Sequence, residues 1–190
     1  MDGSPGSPAP ARRWPGRRGL LAFVVVGVVV ALAGVAFLLG TRSRHAEPAV
    51  GAVKPAPNQH VYLLQPSGGA PSRVALEVAA DEPARERGLS NRAELPPGTG
   101  MAFLFRGDTQ IPFWMKDTLV PLQIAFVGGD GRVVGVFEMP PCRADPCPTY
   151  APTRPYRYAV ELRSDGFTAA GIHEGDRVVP QDPSTLPAPS

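Results

Sequence analysis

Residue types that commonly carry chemistry are scarce in this chain. Its 190 residues include two cysteines and three histidines. A metal site takes about four ligands at close spacing, whereas His45, His60 and His173 lie far apart in the sequence. No metal and no other cofactor is expected. Catalytic signatures are missing too: there is no G-x-S-x-G elbow, no H-E-x-x-H, no phosphate-binding loop and no G-x-G-x-x-G. His173 precedes Glu174 near a turn, as a solvated surface histidine does. Proton transfer by Asp117 with Lys116, or by Glu138 with a nearby arginine, is chemically conceivable, but no spacing demands it. No catalytic residue is assigned, and the balance leans away from an enzyme.

Excess positive charge is also missing where a nucleic-acid binder needs it. The net charge is +2, but it is unevenly placed. Residues 1–59 hold six Arg and one Lys against Asp2 and Glu47, whereas residues 60–180 hold twelve basic and fourteen acidic side chains. A near-neutral domain lacks the footprint that grips phosphate backbones, so nucleic acid is excluded as a partner.

The basic end flanks a membrane segment. From Leu20 to Leu39 the chain is apolar without interruption. Twenty such residues at about 1.5 Å each match the roughly 30 Å hydrocarbon core of a bilayer. A cleaved signal peptide has a shorter core, about 7–15 residues, and here Thr41-Arg42-Ser43-Arg44 follows instead of a small-residue cleavage site. The segment is expected to be an uncleaved anchor. Arg12, Arg13, Arg17 and Arg18 precede it, and a short basic tail is the better reporter of orientation. This predicts a single-pass protein of the cytoplasmic membrane, with its N-terminus inside and its C-terminal domain outside.

The two cysteines agree with that placement. Cys142 and Cys147 bracket Arg143-Ala144-Asp145-Pro146, a turn-forming loop, and a redox pair favours the closer C-x-x-C spacing. A structural disulfide in an oxidising compartment is the expectation.

Around these features the chain divides into five parts. Residues 1–18 read as a cytoplasmic tail, 19–40 as the transmembrane helix, 41–59 as a Pro-rich linker, 60–180 as the extracytoplasmic domain and 181–190 as a disordered tail. Within the domain, His60–Gln65, Arg73–Ala79, Met101–Phe105, Leu122–Val127, Arg132–Glu138, Tyr156–Leu162 and Arg177–Pro180 have strand character. Asp130-Gly131 marks a hairpin. A short helix is expected from Asp81-Glu82-Pro83 to Gly88, and a helical turn over Asp165–Ala170. The fold class is mainly β (α+β): a compact barrel or sandwich-like domain of short strands with one or two small helices, preceded by one transmembrane helix. Phe103, Phe105, Leu122, Ile124, Phe126, Val134, Val136, Val160 and Leu162 are the expected core.

The most distinctive stretch is Phe113-Trp114-Met115-Lys116-Asp117-Thr118. It places the domain's only Trp and only Lys beside two hydrogen-bonding side chains. Pro112 and Pro121 bracket it and disfavour a regular central strand. Trp114, Met115, Lys116, Asp117 and Thr118, with Arg87 or Arg92 reaching over from the short helix and the loop after it, form the candidate ligand-binding surface. An exposed Trp beside polar groups suits a small polar or glycan ligand. Docking onto a membrane or cell-envelope protein, with the same aromatic as a hot spot, is the alternative. A plain structural reading makes Trp114 and Met115 core anchors and Lys116-Asp117 an exposed turn.

Several motifs together resemble the family catalogued as domain of unknown function 192. They are Arg87-Gly88-Leu89, Leu95-Pro96, Gly100-Met101-Ala102-Phe103, Phe113–Thr118, Pro121-Leu122, the hairpin through Gly131, Tyr158–Leu162 and Gly171-Ile172 with Gly175-Asp176. The resemblance covers most of residues 73–180 and implies a small, mostly β domain, often secreted or tethered, with no established activity. The segment Cys142…Pro146-Cys147-Pro148…Tyr150 looks like a loop found in part of that family. Ser90-Asn91 stands where Met-Phe is common, Asp117 where Asn is common, and Gln123 where Asp is common. Gly128-Gly129 replaces an acidic start to the hairpin. A charge exchange between neighbouring positions 117 and 123 is one reading of the paired change.

Overall fold

The computed structural model describes residues 54–190. The expected tail, membrane segment and most of the linker lie outside the described residues. Among the described residues no helix is long and apolar enough to cross a membrane.

Nine strands and two short helices are described. They are β1 (Gln59–Gln65), β2 (Ser72–Ala79), α1 (Glu82–Arg87), β3 (Thr99–Thr109), β4 (Phe113–Trp114), β5 (Leu122–Val127), β6 (Val133–Met139), β7 (Thr149–Tyr150), β8 (Tyr156–Arg163), α2 (Gly166–Ala169) and β9 (Arg177–Pro180). Seven strands form one sheet in the order β6-β5-β8-β3-β2-β1-β9, and β4 pairs with β7 separately. The pair β2–β3 is parallel, and α1 lies in the connection between them.

The domain is mainly β, as expected, but it is neither a sandwich nor a fully closed barrel. The sheet curls into a half-barrel whose two ends meet at one bridge, Arg132 to Arg177. Backbone bonds from Val133 to Asp176 and from Val178 to Gly131 reinforce that seam. Curling hides the edges of the sheet, which would otherwise offer unpaired N–H and C=O groups.

Alternation along the strands then builds two cores. One face buries Tyr62, Leu64, Leu76, Val160, Leu162 and Val178, plugged by Phe167 of α2. The opposite face buries Met101, Phe103, Ile124, Phe126 and Ala159 beneath Leu89, Leu95 and Met115. Of the expected core, Phe103, Leu122, Ile124, Phe126, Val160 and Leu162 are buried, while Phe105, Val134 and Val136 pack at its margin.

Local signals account for α1. Asp81 caps it, its carboxylate accepting from Ala84 N at 2.8 Å. Pro83 sits in the first turn, where no N–H is needed. Gly88 ends the helix with φ +49°, a backbone that L side chains rarely adopt. Gly100 has a different reason to be glycine: a Cβ there would lie 2.0 Å from the carbonyl oxygen of Glu161. Residues 181–190, expected to fray, make a 3-10 turn at Pro183–Thr185 and run back so that Ser190 N donates to Ala80 O at 2.8 Å.

Cys142 and Cys147 form the disulfide, with Cα atoms 5.7 Å apart. So short a closed loop contributes only about 2 kcal/mol by chain entropy. We expect Cys142→Ser to keep the fold and lose stability on that scale in denaturant unfolding. Free-thiol labelling of the native oxidised protein should be negligible.

Candidate functional site

The segment after β3 is held by aromatic packing. The Phe113 ring meets Phe103 edge-on at 4.9 Å and Phe126 at 5.6 Å. Phe126 in turn contacts Tyr156 at 4.7 Å, and the Tyr156 hydroxyl donates to Ile111 O at 2.5 Å. With Phe113 pointing inward, strand alternation sends Trp114 out and Met115 in. Trp114 is 59% exposed and Met115 is 1% exposed. Met115 therefore belongs to the core and leaves the candidate surface.

Beyond Met115 the chain turns. Thr118 N donates to Met115 O at 3.1 Å, and Asp117 holds φ +56°. Asn and Asp tolerate that left-handed conformation better than most residues. The backbone thus accounts for an Asn or Asp at 117. The Asp117 carbonyl accepts from Asn91 N at 2.7 Å, tying the turn to the loop after α1. Lys116 Nζ lies 3.3 Å from Asp145 Oδ2. Because Asp145 sits between the two cysteines, the disulfide loop flanks the candidate surface. The pairing of β4 with β7, Trp114 opposite Thr149, fixes the same neighbourhood.

The two arginines part company. Arg92 is committed to Glu77 through bonds of 2.6 and 2.8 Å, and its hydrogen bond holds the Glu77 carboxyl below the usual carboxylate range. Arg92 therefore does not reach the site. Arg87 does line it.

Two cavities adjoin Trp114. The larger, about 510 Å³, is an apolar cleft lined by Phe103, Phe105, Ile111, Pro112, Phe113 and Trp114, with Glu82, Arg85 and Glu86 of α1 on its margin. Arg85 is fixed there: its Nη1 donates to Ala80 O at 2.7 Å and Leu104 O at 3.1 Å, and its guanidinium lies over the Phe105 ring at 5.3 Å. The smaller cavity, about 50 Å³, lies between α1 and the turn. Arg87, Lys116, Thr118 and Trp114 line it together with Glu161. The two share Arg85, Glu86, Phe103, Phe113 and Trp114 as a common wall.

Glu161 is the residue that the sequence reading missed. It lies on β8 between Met101 of β3 and Ile124 of β5. It is only 5% exposed, and burial pushes its carboxyl up to about 8. No compensating donor or cation offsets that burial among the described residues. Buried carboxyls without partners are costly, and strongly shifted ones gather at functional sites. From sequence, Arg157, Ala159, Glu161 and Arg163 alternate as a solvent face. Burial of Glu161 arises only once α1 and the β4 turn cover that face.

A third depression, about 370 Å³, lies near α2 and includes Gln123, Glu138 and Thr168. Its central polar group is already satisfied. Gln123 accepts from Phe167 N at 2.7 Å and Thr168 N at 3.2 Å, and donates to Thr168 Oγ1 at 2.6 Å and to Glu138. Gln123 caps α2 from a neighbouring strand, because Asp165 makes no side-chain cap bond. It therefore does not exchange charge with Asp117, whose place is set by the turn on the opposite face of the sheet.

Comparison with known proteins bears on the fold. The family described as domain of unknown function 192, Uncharacterized ACR, matches residues 63–180. A Sinorhizobium meliloti 1021 protein, described provisionally as a transcription regulator, is 27% identical with a TM-score of 0.59. That match covers 68% of this chain and 98% of the other. A protein of unknown function from Novosphingobium aromaticivorans DSM 12444 is also 27% identical, with a TM-score of 0.57, covering 68% and 95% respectively. No curated protein matches the chain.

Proposed function

The chain belongs to the domain of unknown function 192 family, described as uncharacterised, and from the geometry of its own site we propose that it is a membrane-anchored, extracytoplasmic binding module for a small polar or envelope glycan ligand. One observation carries the reading. An exposed Trp114 stands on the wall between an apolar cleft and a small polar pocket that the buried Glu161 also lines. A flat aromatic face takes the C–H face of a sugar, and polar groups beside it fix orientation. Arg87, Lys116 and Thr118 are those groups. The apolar run Leu20–Leu39 supplies the tether, and the basic tail before it sets the orientation. The disulfide suits an oxidising exterior.

The test is retention on insoluble envelope glycan by the purified full chain and two variants, Trp114→Ala and Lys116→Ala. Both side chains are substantially exposed, so each variant should melt within about 3 °C of the parent. Trp114→Ala is expected to lose at least tenfold in affinity, consistent with removing one stacking aromatic. Retention unchanged in both variants contradicts the reading.

A second reading rests on a different observation. Ile111, Trp114 and Leu119 are all more than half exposed, and such apolar groups serve as anchors in protein interfaces. An accessory domain that docks a membrane or envelope protein would use them. Under that reading Ile111→Ala and Leu119→Ala abolish capture of the partner while glycan retention is absent from the start.

A further inference from the structure

We infer that the small pocket beneath α1 receives an anionic group of the ligand, a sugar carboxylate, to which the Glu161 carboxyl donates a hydrogen bond while Arg87 and Lys116 offset its charge. This rests on the glycan reading of the preceding section and names the sugar class.

Size is the first argument. About 50 Å³ passes the roughly 10–15 Å³ that one water needs and is far smaller than the 510 Å³ cleft beside it. A carboxylate fits the pocket while its ring stays outside, against Trp114. Charge is the second. The charged groups that line the pocket with Glu161 are Arg85, Glu86 and Arg87 of α1 and Lys116 of the β4 turn. The register partners of Glu161 on β3 and β5, Met101 and Ile124, are apolar. Arg85 has spent donors on Ala80, Leu104 and Ser190. Lys116 shares a half-exposed pair with Asp145, and Arg87 forms no ion pair among the described residues. Glu86 is one carboxylate against the three cations Arg85, Arg87 and Lys116, so an ammonium ligand would meet a net positive rim and a neutral hydroxyl would leave it unused. An anion uses it.

Hydrogen bonding is the third argument. Burial keeps Glu161 in its acid form near neutral pH, and an acid has one O–H to donate. A ligand carboxylate supplies the missing acceptor, and bonds to ionised acceptors are the stronger kind. Once Glu161 ionises, two negative charges face each other in one small pocket. Affinity therefore falls by about tenfold for each pH unit above the ionisation of Glu161.

The experiment follows the Trp114 indole and Glu161 carboxyl resonances of the purified full chain. The probes are D-glucuronate, D-glucose, D-glucosamine and acetate, each at pH 6.5 and pH 9.5. Glucuronate is expected to shift both resonances at pH 6.5 and to lose at least tenfold in affinity at pH 9.5. Glu161→Gln should abolish that pH dependence. Glucose or glucosamine binding as well as glucuronate at both pH values overturns the inference and leaves the glycan reading standing. Acetate shifting Glu161 while no sugar moves Trp114 supports the anion pocket and removes the glycan reading. No shift with any probe overturns both.

Discussion

Glu161→Gln should melt well above the parent protein at pH 8.5, and the gap should close as the pH is lowered to 5. In the folded chain the carboxyl keeps its proton up to about pH 8, whereas the ordinary glutamate value is 4.5. Between those values the folded state binds more protons than the unfolded one, so stability falls as pH rises. The loss begins near pH 4.5, continues to about pH 8 and is then complete. Across that window the coupling is on the order of 3–5 kcal/mol. For a domain of this size that corresponds to roughly 10–20 °C in melting temperature. A glutamine is neutral throughout and escapes the dependence. Thermal melts of both proteins between pH 5 and pH 9 check this. Parallel pH profiles for parent and variant would place Glu161 in contact with water or with a cation. A residue that weakens the fold at neutral pH without a structural partner fits a role in binding, where stability is traded for function.

The second large effect concerns Gln123, which is 2% exposed. Gln123→Ala should destabilise the domain by about 3 kcal/mol in denaturant unfolding. The substitution strips the acceptor from the Phe167 and Thr168 amides, and each orphaned buried donor costs about 1–3 kcal/mol. Asp165 cannot take over, because its backbone is left-handed and its side chain makes no cap bond. It also leaves Glu138 without the amide that donates to it. An acidic residue at 123 would still accept from the two amides, but it would confront Glu138 with a second carboxylate. The amide accommodates both demands, which is a structural account of why Gln stands here. A loss below about 1 kcal/mol would mean that water replaces the cap.

Much of the sheet was legible in the sequence, and for a clear reason. Leu122–Val127 and Arg177–Pro180 coincide with β5 and β9, because a proline at one end and a glycine turn at the other leave little freedom in where such a strand starts and stops. Asp81, Pro83 and Gly88 delimited α1 because capping acts through local backbone geometry. β4 and β7 were not legible. Two residues cannot display a period, and these strands exist because Phe113 is gripped by Phe103 and Phe126. The parallel pairing of β2 with β3, and the closure of the curl at Arg132 and Arg177, are likewise products of long-range packing.

The candidate site was half visible. Trp114, Lys116 and Thr118 stood out by composition, and the structure places them with Arg87 around one pocket. Met115 and Arg92 are drawn away by burial and by Glu77. Asp117 is held by its turn. Glu161 gave no signal, since a glutamate alternating with arginines on a strand reads as solvent-facing until something covers it.

The most direct test of the account is to titrate the full chain with soluble fragments of cell-envelope glycan while recording the Trp114 indole and Glu161 carboxyl resonances. The predicted result is a saturable shift of both at the same midpoint, with the midpoint of the Glu161 shift moved at least tenfold higher in Trp114→Ala. Envelope fragments that leave both resonances of the parent unmoved, or a Glu161 shift with the same midpoint in Trp114→Ala, would contradict it.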